Sequence, residues 1–396
     1  MQVRRYLFKL YPSASQQAEM ERQRVLHQQL YNAALEERIG AHRRGVSLSF
    51  VDQSRSLKVI KAECSDYSAL HFHTLSETLA RLDRAYASFF RRVKAGKSAG
   101  FPRYQSRDRF SGWSYKAHKA GFWVTLRPGG KHGRLRLSGI GTISMRGSMR
   151  DVGEVRTCNI VKRGAAWFAS IVVRGEFGRQ CGTEACGLDW GVSTFATLAT
   201  SDGELVEIEN PRYGRKTAER LAVAQQSLVR KKRGSARRGK ARNRVRRLYA
   251  KLRRQRHDFQ HQVSNQIVNR FGFIATEKLT VSNMVRGASG TIEEPGTNVA
   301  QKAGLNREIL DTAPAAFLAM LRYKAESADG WYVEINTRKH KPSQTDPISG
   351  EVRKKPLSQR THTLPDGTII GRDHASAMVI LNVAMREYGK ELADAA

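Results

Sequence analysis

The chain has 396 residues, 40% of them hydrophobic, enough to bury cores in two or three domains of about 100–200 residues each. Its formal charge of +33, from 69 Lys and Arg against 36 Asp and Glu, excludes an ordinary near-neutral enzyme. It points to a polyanion, most simply nucleic acid, with a ribosome or an acidic membrane face as the alternatives.

Gln2 to Leu10 alternates as a strand, and Ser13-x-Ser15 then caps a long helix predicted to run to about Gly45. A second helix is predicted over Leu75 to Val93, with Leu75, Leu79, Leu82, Tyr86, Phe89 and Phe90 at helical spacing as core. From about Gly112 the texture changes to strands at Gly121–Leu126, Gly133–Ser138, Gly153–Arg163 and Ala166–Arg174. A second unit begins near Gly182. Strands Ala185–Gly191, Thr194–Thr200 and Glu204–Ile208 come first, then a long basic helical region and strand Phe273–Glu277. A helix from about Asn306 to Ser327, strand Trp331–Ile335 and a final helix from Asp373 to Tyr388 complete it. Three antiparallel strands followed by alternating helices and strands is the order of a ribonuclease H-like fold.

Three acids stand out: Asp189 in Leu188-Asp-Trp-Gly191, Glu277 in Ala275-Thr-Glu-Lys278, and Asp373 in Gly371-Arg-Asp-His374. The first two end apolar runs, where a carboxylate has no packing reason to be. The third opens an apolar-periodic helix. Singly, each also reads as a helix cap or a strand-end surface acid. Together, on the first strand, the fourth strand and the last helix, they suggest carboxylates converging on paired Mg²⁺ ions for displacement at phosphorus. In that scheme Asp189 binds both metals and Glu277 and Asp373 complete one site each. One metal generates the attacking hydroxide and the other stabilises the leaving 3′ oxygen. Arg372 is expected either to neutralise the scissile phosphate or to pair with a nearby acid.

Residues 230–256 hold fifteen Lys or Arg and no acid. Such density repels itself in a helix unless phosphates supply counter-charge. A helix or helical hairpin along a nucleic-acid backbone is expected, with Arg230, Lys231, Lys232, Arg233, Arg237, Arg238, Lys240, Arg242 and Arg246 as phosphate contacts; a disordered basic tail is the alternative. Further basic residues, Arg338-Lys-His-Lys341 with Lys354 and Lys355, precede Asp373. The aromatics Trp113, Tyr115, Phe122, Trp123, Trp167 and Phe168 either stack bases or fill a small barrel. The four cysteines (Cys64, Cys158, Cys181, Cys186) form no Cys-x-x-Cys pair, which argues for a reducing compartment. Without a signal peptide or a membrane-length apolar run, a soluble cytoplasmic protein is expected.

These residues match a known family. The chain resembles TnpB, the insertion-sequence-encoded (OrfB-type) RNA-guided DNA endonuclease related to type V CRISPR effectors. Asp189–Leu198, Thr276–Met284 and Gly371–Ala377 are similar to its three RuvC motifs, and Gly100-Phe-Pro-Arg-Tyr104, Arg256–His261, Asn306–Ile309 and Ser343-Gln-Thr345 to other landmarks. The resemblance covers essentially the full chain. It implies a mixed α/β and β multidomain architecture. A wedge-type β-barrel would comprise 1–12 and 109–180, and a helical recognition insert 13–108. A RuvC (ribonuclease H-like) nuclease domain, 181–396, would carry a nucleic-acid-binding insertion at about 338–372. Asp189, Glu277 and Asp373 take the positions of the catalytic, metal-binding acids, with Mg²⁺ as cofactor and Mn²⁺ as a substitute. The implied partners are a guide RNA from the transposon end and double-stranded target DNA beside a short flanking motif, with one RNA on a monomer in a prokaryotic cytoplasm, at the nucleoid when on DNA. The family usually holds a zinc ribbon on two cysteine pairs. Here Asp346, Ser349, Leu364 and Asp366 occupy those places, so no structural zinc is expected. The third motif also carries Gly371 and Ala375-Ser376 where many relatives have Asp and Asn-Ala. Two alternatives are a nuclease-dead RNA-guided repressor, disfavoured by retention of all three acids, and a DNA-joining transposase.

Overall fold

The computed structural model describes residues 2–127, 130–149, 153–356 and 358–395, with side chains described through residue 389. The chain divides into two compact units, Met1–Phe177 and Gly178–Ala396.

In the first unit, strand β1 (Gln2–Tyr11) leads into four helices: α1 (Ala14–Arg43), α2 (Phe50–Glu63), α3 (Ser65–Ser68) and α4 (Phe72–Lys94). Ser13 starts α1 through a capping box with Gln16, whose amide donates to Ser13 Oγ at 3.2 Å. Helix α2 was not anticipated, because its polar faces blur the period; its own capping box, Ser49 with Asp52, was the available signal. Leu30, Leu35, Leu57, Leu75, Leu79 and Leu82 join the helices in one core. Strands β2 (Gly112–Tyr115), β3 (Phe122–Leu126), β4 (Lys131–Leu137), β5 (Gly141–Ser148), β6 (Glu154–Arg163) and β7 (Ala166–Gly175) follow. With β1 they make a seven-stranded antiparallel sheet in the order β2-β6-β7-β1-β5-β4-β3. Trp113, Tyr115, Phe122 and Trp167 fill its core, settling those four as packing residues. Trp123 and Phe168 stay half-exposed, each with an arginine over the ring (Arg136 at 5.1 Å and Arg163 at 5.6 Å).

The second unit opens with β8 (Glu184–Trp190), β9 (Thr194–Thr200) and β10 (Leu205–Glu209). Helices α5 (Tyr213–Val229) and α6 (Ala236–Arg270) form a hairpin, as expected for the basic run, and β11 (Phe271–Glu277) follows. Then come α7 (Val281–Met284), α8 (Val299–Thr312), α9 (Pro314–Glu326), β12 (Trp331–Ile335), α10 (Thr337–His340), β13 (Thr361–Thr363), β14 (Ile369–Gly371) and α11 (Arg372–Ala395). The single helix expected over 306–327 is two. Ala313 takes a left-handed φ of 49°, and Pro314, which restricts the residue before it, starts the next helix. The five-stranded sheet runs β10-β9-β8-β11-β12, antiparallel through β10, β9 and β8 and parallel through β8, β11 and β12. Among the described residues no helix is long and apolar enough to cross a membrane.

This sheet is covered on both faces, and strand alternation decides which residue meets which cover. Cys186, Leu188 and Ile274 face one core with Val263, Ile267, Phe317 and Leu321 of α6 and α9. Ala185, Phe273 and Ala275 face the other, with Val379, Ile380 and Leu381 of α11. Gly187 lies on the α11 side, where a Cβ would stand 2.2 Å from the Ala377 carbonyl oxygen. Gly187→Ala is therefore expected to cost about 1–3 kcal/mol by overpacking and to lower activity by displacing the start of α11. Chemical denaturation beside a cleavage assay checks both effects.

Candidate active site

Asp189 continues the Ala185, Gly187 series on β8, and Glu277 continues the Phe273, Ala275 series on β11, so both carboxylates emerge on the α11 face. The strands are parallel with Ala275 opposite Gly187 and Thr276 opposite Leu188, which sets Glu277 beside Asp189 at the carboxyl ends of neighbouring strands. Asp373, in the first turn of α11, lies close enough for its charge to act on Asp189.

The electrostatics record the convergence. Burial, then the charges of Glu277 and Asp373, hold the Asp189 carboxyl well above the usual carboxylate range, with Ser376 and Arg372 opposing. Burial pushes Glu277 up to about 7. Beside this cluster Ser376 Oγ is buried, close to the Asp189 carboxyl. Among the described residues no three acid, Cys or His side chains are drawn in to metal-binding distance. The donor set nonetheless fits a hard divalent cation: three carboxylates, with no soft ligand and with mutual repulsion that a cation would relieve.

Arg372, expected at a phosphate or an acid, lies close enough to Asp189 for its charge to favour that acid's ionisation. It is 8% exposed, and its Nη1 donates to the Pro356 carbonyl at 2.9 Å and the Gln359 carbonyl at 3.4 Å, tying the preceding insertion to the start of α11. Its neighbour Asp373 in the chain gives no hint of such backbone partners. In the basic cluster before it, Lys339 and His340 each meet Glu387 at 3.1 Å.

The insertion is held by polar contacts. One Asp346 oxygen accepts from the amides of Ile348 (2.9 Å) and Ser349 (2.7 Å) and from Ser349 Oγ (3.0 Å); the other lies 2.7 Å from His362 Nε2, whose ring also meets Lys355. Burial works against ionisation, but the Ser349 amide, His362 and the Ile348 amide hold the Asp346 carboxyl down at about 2. Two turns shape it: the Gly350 amide donates to Asp346 O and the Gly367 amide to Leu364 O. A zinc-ribbon ligand set does not fit here, since Asp346 is saturated by hydrogen bonds and Leu364 offers no donor. Elemental analysis after dialysis against a mild chelator is expected to find less than stoichiometric zinc and unchanged activity; one zinc per chain whose removal inactivates the protein would show the reverse.

The basic hairpin leaves Arg237, Lys240, Arg242 and Arg246 exposed, together with Arg230, Lys231, Lys232 and Arg233 at its tip. Arg238 is the exception: its Nη1 donates to Leu228 O (3.0 Å) and Lys231 O (2.8 Å), closing the turn between α5 and α6. Two contacts escaped sequence reading, His374 Nε2 at 3.4 Å from Glu207 and the Arg256–Asp311 pair, because each joins residues far apart in the chain.

The strand order, antiparallel through β10, β9 and β8 and parallel through β8, β11 and β12, is that of a ribonuclease H-like fold. A family model described as "Probable transposase" matches residues 178–288. A putative RNA-guided DNA endonuclease of Streptomyces pristinaespiralis is 30% identical over 96% of this chain and 89% of that relative. A putative RNA-guided DNA endonuclease InsQ of Escherichia coli (strain K12) is 30% identical over 81% of this chain and 77% of its own length. The solved structure of a Cas12f1–sgRNA–target DNA complex superposes with a TM-score of 0.60 over 93% of this chain and 82% of that one; at 13% identity the likeness is one of fold. The chain belongs to the TnpB family.

Proposed function

We propose that this protein is an RNA-guided DNA endonuclease that hydrolyses target phosphodiesters at Asp189, Glu277 and Asp373. What carries the reading is the meeting of those three acids on one face of the sheet, in a chain 30% identical over nearly its whole length to a putative RNA-guided DNA endonuclease. Mg²⁺ is the cation the oxygen-only donor set favours. When bound it supplies charge neutralisation at the scissile phosphate and an activated water. The residues' own part is positional: β8 and β11 fix two carboxylates at adjacent strand ends, and the close seat of α11 on Gly187 brings the third. Ser376 Oγ adds a buried polar group to the same pocket.

Guide pairing would supply sequence, and the charge of the chain would hold the backbone of the RNA and of the heteroduplex. Residues 1–12 and 109–180 fit a wedge-type barrel, 13–108 a recognition insert, and 181–396 the nuclease with its insertion at about 338–372. The guide is assigned to the transposon end, on one protein chain. Sequencing of co-purified RNA, followed by plasmid cleavage with that RNA in Mg²⁺ and in chelator, tests the whole reading. Guide-dependent cleavage lost in chelator is expected; Mg²⁺-independent or guide-independent products would overturn it.

A further inference from the structure

The root of the basic hairpin is built around one buried acid. Asp311, near the end of α8, accepts the Gly214 amide on both carboxylate oxygens (2.9 and 2.7 Å) and Arg256 Nε at 2.6 Å, with Arg256 Nη2 closing the ion pair. Helix α5 needs this. Its N-cap, Arg212, is left-handed and offers no side-chain cap, so the amides of its first turn have no local acceptor. A carboxylate there also meets the positive end of the helix dipole. Residue 214 must be glycine for the approach, since a Cβ would stand 2.6 Å from the Asp311 carboxyl.

Two further bonds extend the joint. Gln260 of α6 donates to the Thr312 carbonyl at 2.7 Å, fastening the end of α8 a second time. On the other side, Asn210 accepts from the Arg212 amide at 3.0 Å and donates to the Val192 carbonyl at 2.7 Å, in the turn that leaves β8 three residues after Asp189. Among the described residues, Arg256 is the one cation of the 230–256 run with an ion pair to a protein carboxylate. The exposed cations remain open to phosphate while the root is pinned.

We propose that Asp311 is a positioning residue of the nuclease: through Gly214 and Arg256 it fixes the nucleic-acid-binding hairpin relative to the strand end that carries Asp189. A hairpin that pivots at its root still binds phosphates, but delivers the substrate strand out of line with the carboxylates. This inference rests on the nuclease reading above.

Asp311→Asn keeps an acceptor for Gly214 and removes the charge that holds Arg256. Assembled with guide RNA, it is expected to retain the RNA affinity and salt slope of the unmodified protein and to lose at least tenfold in single-turnover cleavage at saturating target DNA. Arg256→Gln should divide the same way. A purely structural pair would instead lower the melting temperature and leave the rate intact well below it. Unchanged cleavage by Asp311→Asn in folded protein overturns the proposal. So does a salt slope flattened by about 0.7–0.9 in Arg256→Gln, which would make Arg256 itself a phosphate contact. If Asp311→Asn does not fold, Arg256→Lys, which keeps the charge but not the two-pronged geometry, is judged by the same two readouts. Cleavage by the unmodified protein in parallel separates failure of this proposal from failure of the nuclease reading.

Discussion

Replacing Asp189 by Asn is expected to abolish DNA cleavage and, in the absence of divalent metal, to raise the melting temperature. The first effect follows from its place between the other two acids. A ligand to the catalytic cation contributes several kcal/mol to the transition state, and each 1.36 kcal/mol is tenfold, so losses on the order of 10³-fold or more are expected. Glu277→Gln and Asp373→Asn should lose activity similarly, and Ala at any of the three should do the same while sparing assembly with RNA. The second effect follows from repulsion. The Asp189 carboxyl is held above its ordinary range by burial and by its acidic neighbours. A group whose folded pKa is raised weakens the fold as pH climbs above the unfolded carboxylate value of about 3.9. The neutral amide escapes that penalty, so the gain should be present at pH 7 and vanish near pH 3. A gain of about 1 kcal/mol corresponds to roughly 2–4 °C for a unit of this size. Plasmid cleavage, an RNA pull-down and melts in chelator at two pH values make the test. Near-normal cleavage would remove a residue from the site, and a lower melting temperature for Asp189→Asn in chelator would make its carboxylate a structural group.

The second unit was readable because its strands and last helix rest on local, periodic signals. Apolar runs ending in Asp189 and Glu277 are visible without any neighbour, and once both strands are parallel, alternation alone puts the two carboxylates on one face. What stayed hidden depends on partners remote in sequence. Arg238 and Arg372 look like phosphate contacts as charges, yet Nη1 of each donates to carbonyls, of a turn in one case and of the insertion in the other. Asp311 lies 97 residues from Gly214, and nothing near it marks it as a cap. The break at Ala313 was legible in principle, since Pro314 disfavours helix in the residue before it. The apolar period continues across the break and masked it. Strand β5 was lost for the opposite reason, with too few apolar residues to show a period, and helix α2 because Val51 and Val59 stand exposed and blur its period.

Neutralising Arg237, Lys240, Arg242 and Arg246 together is expected to weaken nucleic-acid binding evenly across sequences, because contacts to phosphate set affinity and carry no base information. The four are exposed on α6, outside the ion pair at its root and outside the turn that Arg238 closes. Each lost contact should flatten the plot of log K against log salt by about 0.7–0.9, so the quadruple variant should lose about 3 from the slope. The affinity ratio between 50 and 200 mM salt would then shrink on the order of 100-fold. Cooperative folding should persist and even improve, since like charges at helical spacing repel when no phosphate lies between them. The arrangement makes the outcome informative: a stretch carrying this charge with no acid between residues 230 and 256 has little reason to persist unless an external polyanion completes it. Titrations of labelled RNA and of target DNA at several salt concentrations measure the slope directly. An unchanged slope in a folded quadruple variant would mean that the hairpin does not lie on a backbone, and that the excess charge of the chain meets its polyanion elsewhere.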